Sequence, residues 1–307
     1  MTWGGQKYAW NDAKIIGMFV GFGLLVICFC FWQWKQGDFA LIPPRVIQKR
    51  SISMGALALF GIYMAVNVYG YYFPIYFQSI QGVSIVTSGV RYLAFIIPQI
   101  VALALTGAVV TQWGYYVPYM IAGVAVSCIG GGLLTTIGTN TPQSKWASYL
   151  AITGLGVGMS GQIPYMALQA VLDPVDVATG NAIAGFASQF AGSLGIAIGQ
   201  NLFIRQLYVA VPKYTDVVLP AQVVGAGATG LRALADGSTE VLTALRQAYA
   251  DSVRPILILS LAAVCVALPA SCAMERLNIK AVTEQRRNAE RPQELEEGEN
   301  APVHNKT

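Results

Sequence analysis

The 307-residue chain is poor in charge and nearly devoid of histidine. Asp, Glu, Lys and Arg make up only 11% of it, against about 25% in an ordinary water-soluble domain. Between Ser51 and Ile204 only Arg91, Lys145, Asp173 and Asp176 are charged. So few charges cannot cover a water-facing surface, so most of that stretch must face lipid or other apolar helices. The single histidine, His304, sits in a polar tail. The cysteines, Cys28, Cys30, Cys128, Cys265 and Cys272, lie in apolar runs without C-x-x-C spacing. A thiolate zinc site or a histidine-based catalytic site therefore has little to build from. The cysteines read as small buried hydrophobes. No cofactor and no metal is expected. The net charge of +4 is small and scattered, which argues against nucleic acid as a partner.

What the chain does have is long apolar runs, with 55% hydrophobic residues overall. Seven membrane spans are predicted, at about 13–34, 52–79, 87–110, 116–137, 146–171, 178–204 and 254–274. Each supplies the ~20 mostly apolar residues that a bilayer crossing needs. Helices are expected because hydrocarbon offers no water to unpaired backbone groups. Barrel strands would be shorter and would alternate in polarity. The first run lacks an evident cleavage site, so it reads as a span rather than a leader. The loop 35–50 holds Lys35, Arg45, Lys49 and Arg50, and the tail holds Arg276, Lys280, Arg286, Arg287, Arg291 and Lys306. Seven spans put both on one side, read as the cytoplasm from the positive charge. The mixed segment 205–252 is then outside, with a short helix capped by Ser238. The tail after Glu275 is charged and reads as disordered. The N-terminus also falls outside, which leads to the expectation of at least one more span upstream.

Polar groups inside the spans are few and uncharged, and they share faces. At 100° per residue, Gly154, Gly158, Gly161, Gln162, Tyr165 and Gln169 fall within an arc of about 100°. On the sixth span Asn181, Gly185, Ser188, Gln189, Gly192, Gly195 and Gly199 share an arc of about 120°. Small residues at such spacing let backbones approach closely. Asn67, Tyr71, Pro74 and Gln78 lie on one side of the second span. Pro74 removes a backbone donor and should bend that helix, either as part of a gate or for packing alone. Taken singly, each amide is explained by an interhelical hydrogen bond worth about 0.6 kcal/mol. Together, Asn67, Tyr71, Gln78, Gln162, Gln169 and Gln189 define a candidate cavity for a small molecule. Arg91 lies near the outer end of the third span, where snorkelling explains it. Asp173 and Asp176 form a turn, DPVD, with Asp176 near the start of the sixth span. No Asp or Glu lies within any span, so the chain shows no proton-coupling carboxylate of its own.

One motif points elsewhere. GVGMSG (156–161) matches G-x-G-x-x-G, and Asp176 follows Gly156 by twenty residues. A nucleotide site would need a strand before the glycines and a helix start upon them. The apolar run passes straight through from Trp146 to Val171. The reading kept open beside transport is a membrane-embedded nucleotide-dependent oxidoreductase.

The runs YYFPIYFQSIQGVSIVTSGVRYLAFIIPQI (71–100), GLGVGMSGQIPYMALQAVLDPVDVATGNAIAGFASQFAGSLGIAIGQNLF (154–203) and GATGLRAL (227–234) resemble the C-terminal half of fungal 14-span drug:proton antiporters of the major facilitator superfamily. WGGQKYAWNDAKIIG at the start is similar to the region before one of that subfamily's extra helices, and MERLNIK (274–280) to the segment after its last. The resemblance implies an all-α membrane protein, with an extra helix and linker over 1–50, a six-helix lobe over 51–275 and a cytoplasmic tail over 276–307. It implies efflux of small amphipathic drugs or toxins by proton antiport, not enzyme activity, at the plasma membrane. The partners it implies are substrate, protons, lipid and an N-terminal lobe. It also implies that the chain is part of a longer transporter, or else a fragment that only packs. Tyr71, Gln78, Gln162, Gln169 and Gln189 match polar cavity positions of the family.

Overall fold

The computed structural model describes residues 11–37, 40, 42–282, 284 and 288. Among these, the chain forms eleven helices and no strand, with one isolated bridge between Tyr115 and Asn278. They are α1 (Ala13–Gln36), α2 (Pro44–Ile47), α3 (Arg50–Ser79), α4 (Ile85–Trp113), α5 (Val117–Leu134), α6 (Gln143–Ser160), α7 (Ile163–Val171), α8 (Val177–Tyr214), α9 (Pro220–Ala226), α10 (Leu231–Leu234) and α11 (Thr239–Cys272). Six of them, α1, α3, α4, α5, α8 and α11, are long and apolar enough to cross a membrane.

The predicted fifth span, 146–171, is not one continuous helix. It divides at Gly161 and Gln162 into α6 of 18 residues and α7 of nine. The physical cause is Pro164, which has no N–H to return to the Ser160 carbonyl and whose ring crowds it. The interruption is a kink, since Gly161 N–H still bonds the Val157 carbonyl at 2.8 Å and both junction residues keep helical backbone angles. At ~1.5 Å per residue α6 alone covers about 27 Å, so α6 and α7 together complete the crossing.

The outer segment differs from expectation in the opposite sense. α8 runs ten residues past 204, to Tyr214, and the short helix capped by Ser238 is continuous with the last span as the 34-residue α11. Ser238 does cap it, accepting the Val241 N–H at 3.4 Å. Pro255 lies inside α11 without ending it. The two extensions are tied together where the Tyr214 hydroxyl donates to Asp251 at 2.7 Å.

The bundle is organised around α3, which packs on α4, α7, α8 and α11. Its Ala58, Ile62, Ala65, Tyr69, Phe73 and Phe77 are buried in the main core. By contrast α1 is barely buried, and Leu25, Ile27 and Trp34 on it are 72%, 66% and 81% exposed. An apolar helix with that exposure is suited to lipid. Four of the cysteines likewise lie on the outside rather than in the core: Cys28, Cys30, Cys265 and Cys272 are exposed, while Cys128 is half-buried against the core. In a membrane the apolar surroundings lie outside the bundle as well as inside it, so their apolar sequence context did not imply burial.

α6 lies between α4 and α5, with glycines on both contact faces. A Cβ at Gly154 would overlap the Phe95 carbonyl oxygen, and one at Gly158 the Gln99 carbonyl oxygen, both on α4. On the other side a Cβ at Gly156 would come within 2.6 Å of the Gly123 carbonyl oxygen of α5. α8 approaches α3 in the same way, with Gly192 against Asn67, Gly195 against Met64 and Gly199 against Tyr72. Gly185 meets nothing within 4 Å, and Gly161 meets only the Val157 carbonyl of its own chain.

The end of the bundle that carries the linker is cross-braced. Arg45 of α2 pairs with Asp176 at 2.9 Å, and Lys49 donates to the Val171 carbonyl at 3.0 Å. Asp176 thus accepts from Arg45, while its side chain makes no cap bond to α8. At this same end the Ser51 hydroxyl bonds Glu275, and Ile279 N–H bonds the Gly114 carbonyl at 2.9 Å. The first residues of the predicted disordered tail are therefore held against the α4–α5 turn, and residues 289–307 lie outside the described residues.

Gly158→Leu should force α4 and α6 apart and cost about 1–3 kcal/mol, as overpacking does. Gly185→Ala should instead leave stability unchanged or raise it by up to about 1 kcal/mol. Unfolding of both variants in mixed detergent micelles, followed by tryptophan fluorescence, checks the contrast.

Candidate functional site

α3 presents Phe60, Tyr63, Asn67 and Tyr71 at three- and four-residue steps, which places them along one side of the helix. Asn67 donates to the Tyr63 carbonyl at 2.8 Å and packs on Gly192 of α8. Tyr71 is 44% exposed, its ring edge-on to Tyr72 at 5.0 Å. Phe60 meets Phe190 of α8 at 6.3 Å, and Phe190 stacks on Phe186 at 5.6 Å with the planes 6° apart. Gln189 lies between those two phenylalanines in sequence and is exposed.

On the other flank of α3, the kink between α6 and α7 turns out Gln162. A small cavity of about 40 Å³ lies there, lined by Tyr63 and Val66 of α3, Gln99 and Leu103 of α4, and Gly158 and Gln162. That is room for a few waters and no more. Gln162 is exposed beside it. One turn further, the Tyr165 hydroxyl and Ser188 are hydrogen-bonded at 3.2 Å, which joins α7 to α8. Gln169, near the end of α7, is exposed on the same short helix.

The structure thus brings together Asn67, Tyr71, Gln162 and Gln189 around α3, with Gln169 farther along α7. It places Gln78 elsewhere. Eleven residues beyond Asn67, or about 16 Å along the helix axis, Gln78 donates to Ser88 at 3.1 Å and lines a cavity at the end of the bundle. Pro74 lies inside α3, which continues to Ser79. Arg91 is half-buried, and its guanidinium bonds Gln81 and lies over the rings of Phe77 and Trp146, at 5.9 and 5.6 Å. That arrangement ties α4 to α3 and α6.

Tyr63, Gln99, Phe186 and Phe190 were not among the residues expected from the sequence. The two phenylalanines could have been found, because they stand four apart in a stretch rich in small residues. Gln99 could not, since its position opposite Gln162 depends on how α4 crosses α6.

The face has neutral donors and acceptors and several aromatic surfaces, and no ionisable acid or base other than phenols. Such a set can hold amphipathic molecules by stacking and single hydrogen bonds. It offers no general base or activated nucleophile. GVGMSG is not a phosphate loop here. YLAIT before it is part of α6, the helix runs through the glycines, and their space is filled by α4 and α5.

No family model matches the chain. It is 36% identical over 280 residues, 91% of its length, to the MFS-type efflux pump of Arthroderma benhamiae. It is 33% identical over 91% of its length to an MFS-type transporter of Aspergillus oryzae, and 38% identical over 74% to the aspyridones efflux protein of Neocamarosporium betae. These matches cover 52%, 49% and 40% of the three relatives. The helical fold fits a multi-pass membrane protein. The chain belongs to the major facilitator superfamily, and it spans about half the length of the curated relatives it matches.

Tyr165→Phe removes one interhelical hydrogen bond without changing shape. It should destabilise the bundle by about 0.6 kcal/mol. Reversible unfolding in mixed micelles measures this, and a loss above about 2 kcal/mol would show that the Tyr165 hydroxyl holds more than Ser188.

Proposed function

We propose that the chain is the C-terminal lobe of a secondary active exporter that moves small amphipathic molecules, drug-like or toxin-like, out of a fungal cell by proton antiport. The observation that carries this reading is the face of Tyr71, Gln162 and Gln189 around α3, left exposed on a lobe whose other helix contacts are closely packed. A second six-helix lobe would cover that face and enclose a midplane cavity, with transport by rocking of one lobe against the other. The efflux names of the relatives, and their roughly twofold greater length, favour the same arrangement. The six-helix lobe would then run over 51–275, preceded by an extra helix over 1–50. The braced end with Arg45, Asp176 and Glu275 would face the cytoplasm, and the plasma membrane is the natural site for export. Protons would be taken up by a carboxylate of the facing lobe, because the polar face here has none.

The α6–α7 kink supplies a hinge in the wall of such a cavity. A proline-bent helix can change its bend with less loss of hydrogen bonding than a straight one, since one bond is already missing. Gln162 sits at that bend, so its amide would move relative to α3 when the lobe rocks.

In yeast lacking its own drug pumps, the chain alone should leave accumulation of rhodamine 6G unchanged. Joined to the N-terminal half of the Arthroderma benhamiae pump, it should lower accumulation. Gln162→Leu in that joined protein should shift relative efflux among several dyes at unchanged membrane abundance. If every dye is exported as before, Gln162 is not part of the path. If the joined protein exports nothing while reaching the membrane, the chain is a packing element and not a transport lobe.

A further inference from the structure

At the end of the bundle away from the linker, the α3–α4 turn and the α9–α10–α11 segment border an open cavity of about 450 Å³. Gln78, Ser84 and Thr229 line it, together with Arg232 and Arg246. Val83, Ile85, Leu231 and Leu242 supply apolar parts of its wall. Its volume falls within the range of ordinary small-molecule pockets, about 300–1,000 Å³.

Two guanidinium groups converge there. Gly82, held at a left-handed φ of +66°, is where they meet: a Cβ on it would lie 2.5 Å from one Arg246 nitrogen and 3.3 Å from one of Arg232. Arg232 donates to the Gly82 carbonyl at 3.4 Å, a long bond that leaves most of its fork free to reach a second acceptor. The Nε of Arg246 is buried with no hydrogen-bond partner. Among the described residues the ion pairs are Arg45 with Asp176 and Lys213 with Asp251, and neither involves this cavity. Arg232 is exposed and Arg246 half-buried, and these two neighbouring positive charges, with no carboxylate paired to them among the described residues, repel one another. A bound anion offsets that repulsion. A guanidinium fork matches the two oxygens of a carboxylate or phosphate better than any neutral acceptor.

We propose that this cavity binds an amphipathic organic anion, a carboxylate whose oxygens are held by Arg232 and Arg246 and whose hydrocarbon part lies on Val83, Ile85, Leu231 and Leu242. The polar face around α3 has no cation, so a carboxylate finds its charge partner here and not there. The assignment is independent of whether the chain exports anything.

The test is calorimetry on the purified 307-residue chain in a neutral detergent, with 2-naphthoate and its uncharged analogue 2-naphthamide as probes. The expected result is that 2-naphthoate binds at least about tenfold more tightly than the amide. R232Q/R246Q should abolish that preference, and R246K, which keeps charge but not the fork, should retain part of it. Equal affinity for the two probes overturns the proposal, as does an unchanged preference in R232Q/R246Q. If R232Q/R246Q does not run as a single species on gel filtration, the comparison of the two probes on the unaltered chain decides alone. Repeating the titration in nanodiscs separates the sources of anion. Binding of 2-naphthoate equal in phosphatidylcholine and phosphatidylglycerol discs is expected. Binding lost only in phosphatidylglycerol assigns the cavity to a lipid phosphate and overturns the carboxylate.

Discussion

Inside a bilayer, lipid chains are as apolar as leucine, so burying apolar side chains gives helices little reason to associate. What remains is dispersion between closely fitted surfaces, and it grows steeply as backbones approach. In this chain the approach is made at α6, where Gly154 and Gly158 admit the α4 carbonyls and Gly156 admits α5. The glycines of α8 do the same against α3. A further close approach joins α3 to α11, where a Cβ at Gly61 would overlap the Ala263 carbonyl oxygen. The polar face around α3 exists because α6–α7 and α8 are held against its two flanks.

Charge is sorted to the ends of the bundle, and the two ends use it differently. At the linker end three charges are tied into the fold: Arg45 with Asp176, Lys49 with a helix-end carbonyl, Glu275 with Ser51. These bonds tie chain segments that are far apart in sequence, and they hold the start of α3 to the end of α11. At the opposite end Arg232 and Arg246 have no carboxylate beside them among the described residues. Arg91 lies between these regimes, half-buried and held by two aromatic faces and an amide.

The three best-placed glutamines have three different settings. Gln78 is hydrogen-bonded at the end of α3, Gln162 is exposed at a kink beside a cavity of about 40 Å³, and Gln189 is exposed on the helix that carries the stacked Phe186 and Phe190. An amide on an apolar helix announces only that something polar or wet is near. Which partner it meets depends on the neighbouring helix. The same holds for proline: Pro164 splits a span, while Pro74 and Pro255 sit inside helices that continue past them.

The sequence alone determined the class of molecule. Sparse charge and runs of apolar residues long enough for a bilayer leave helices as the spanning structure, and backbone hydrogen bonding in hydrocarbon requires it. The starts and ends of α1, α3, α4 and α5 were legible because polar and aromatic residues mark them. The close packing of Gly154, Gly158, Gly192 and Gly199 was also legible, since small residues at helical spacing share a face. Tertiary structure alone decided which neighbour each face meets: Gly156 turned to α5 while Gly154 turned to α4, Gln99 opposite Gln162, and Gln78 separated from the amides with which it had been grouped. It alone joined the short outer helix to the last span through Pro255. These are outcomes of helix crossings between residues distant in the chain, and local patterning carries no record of them.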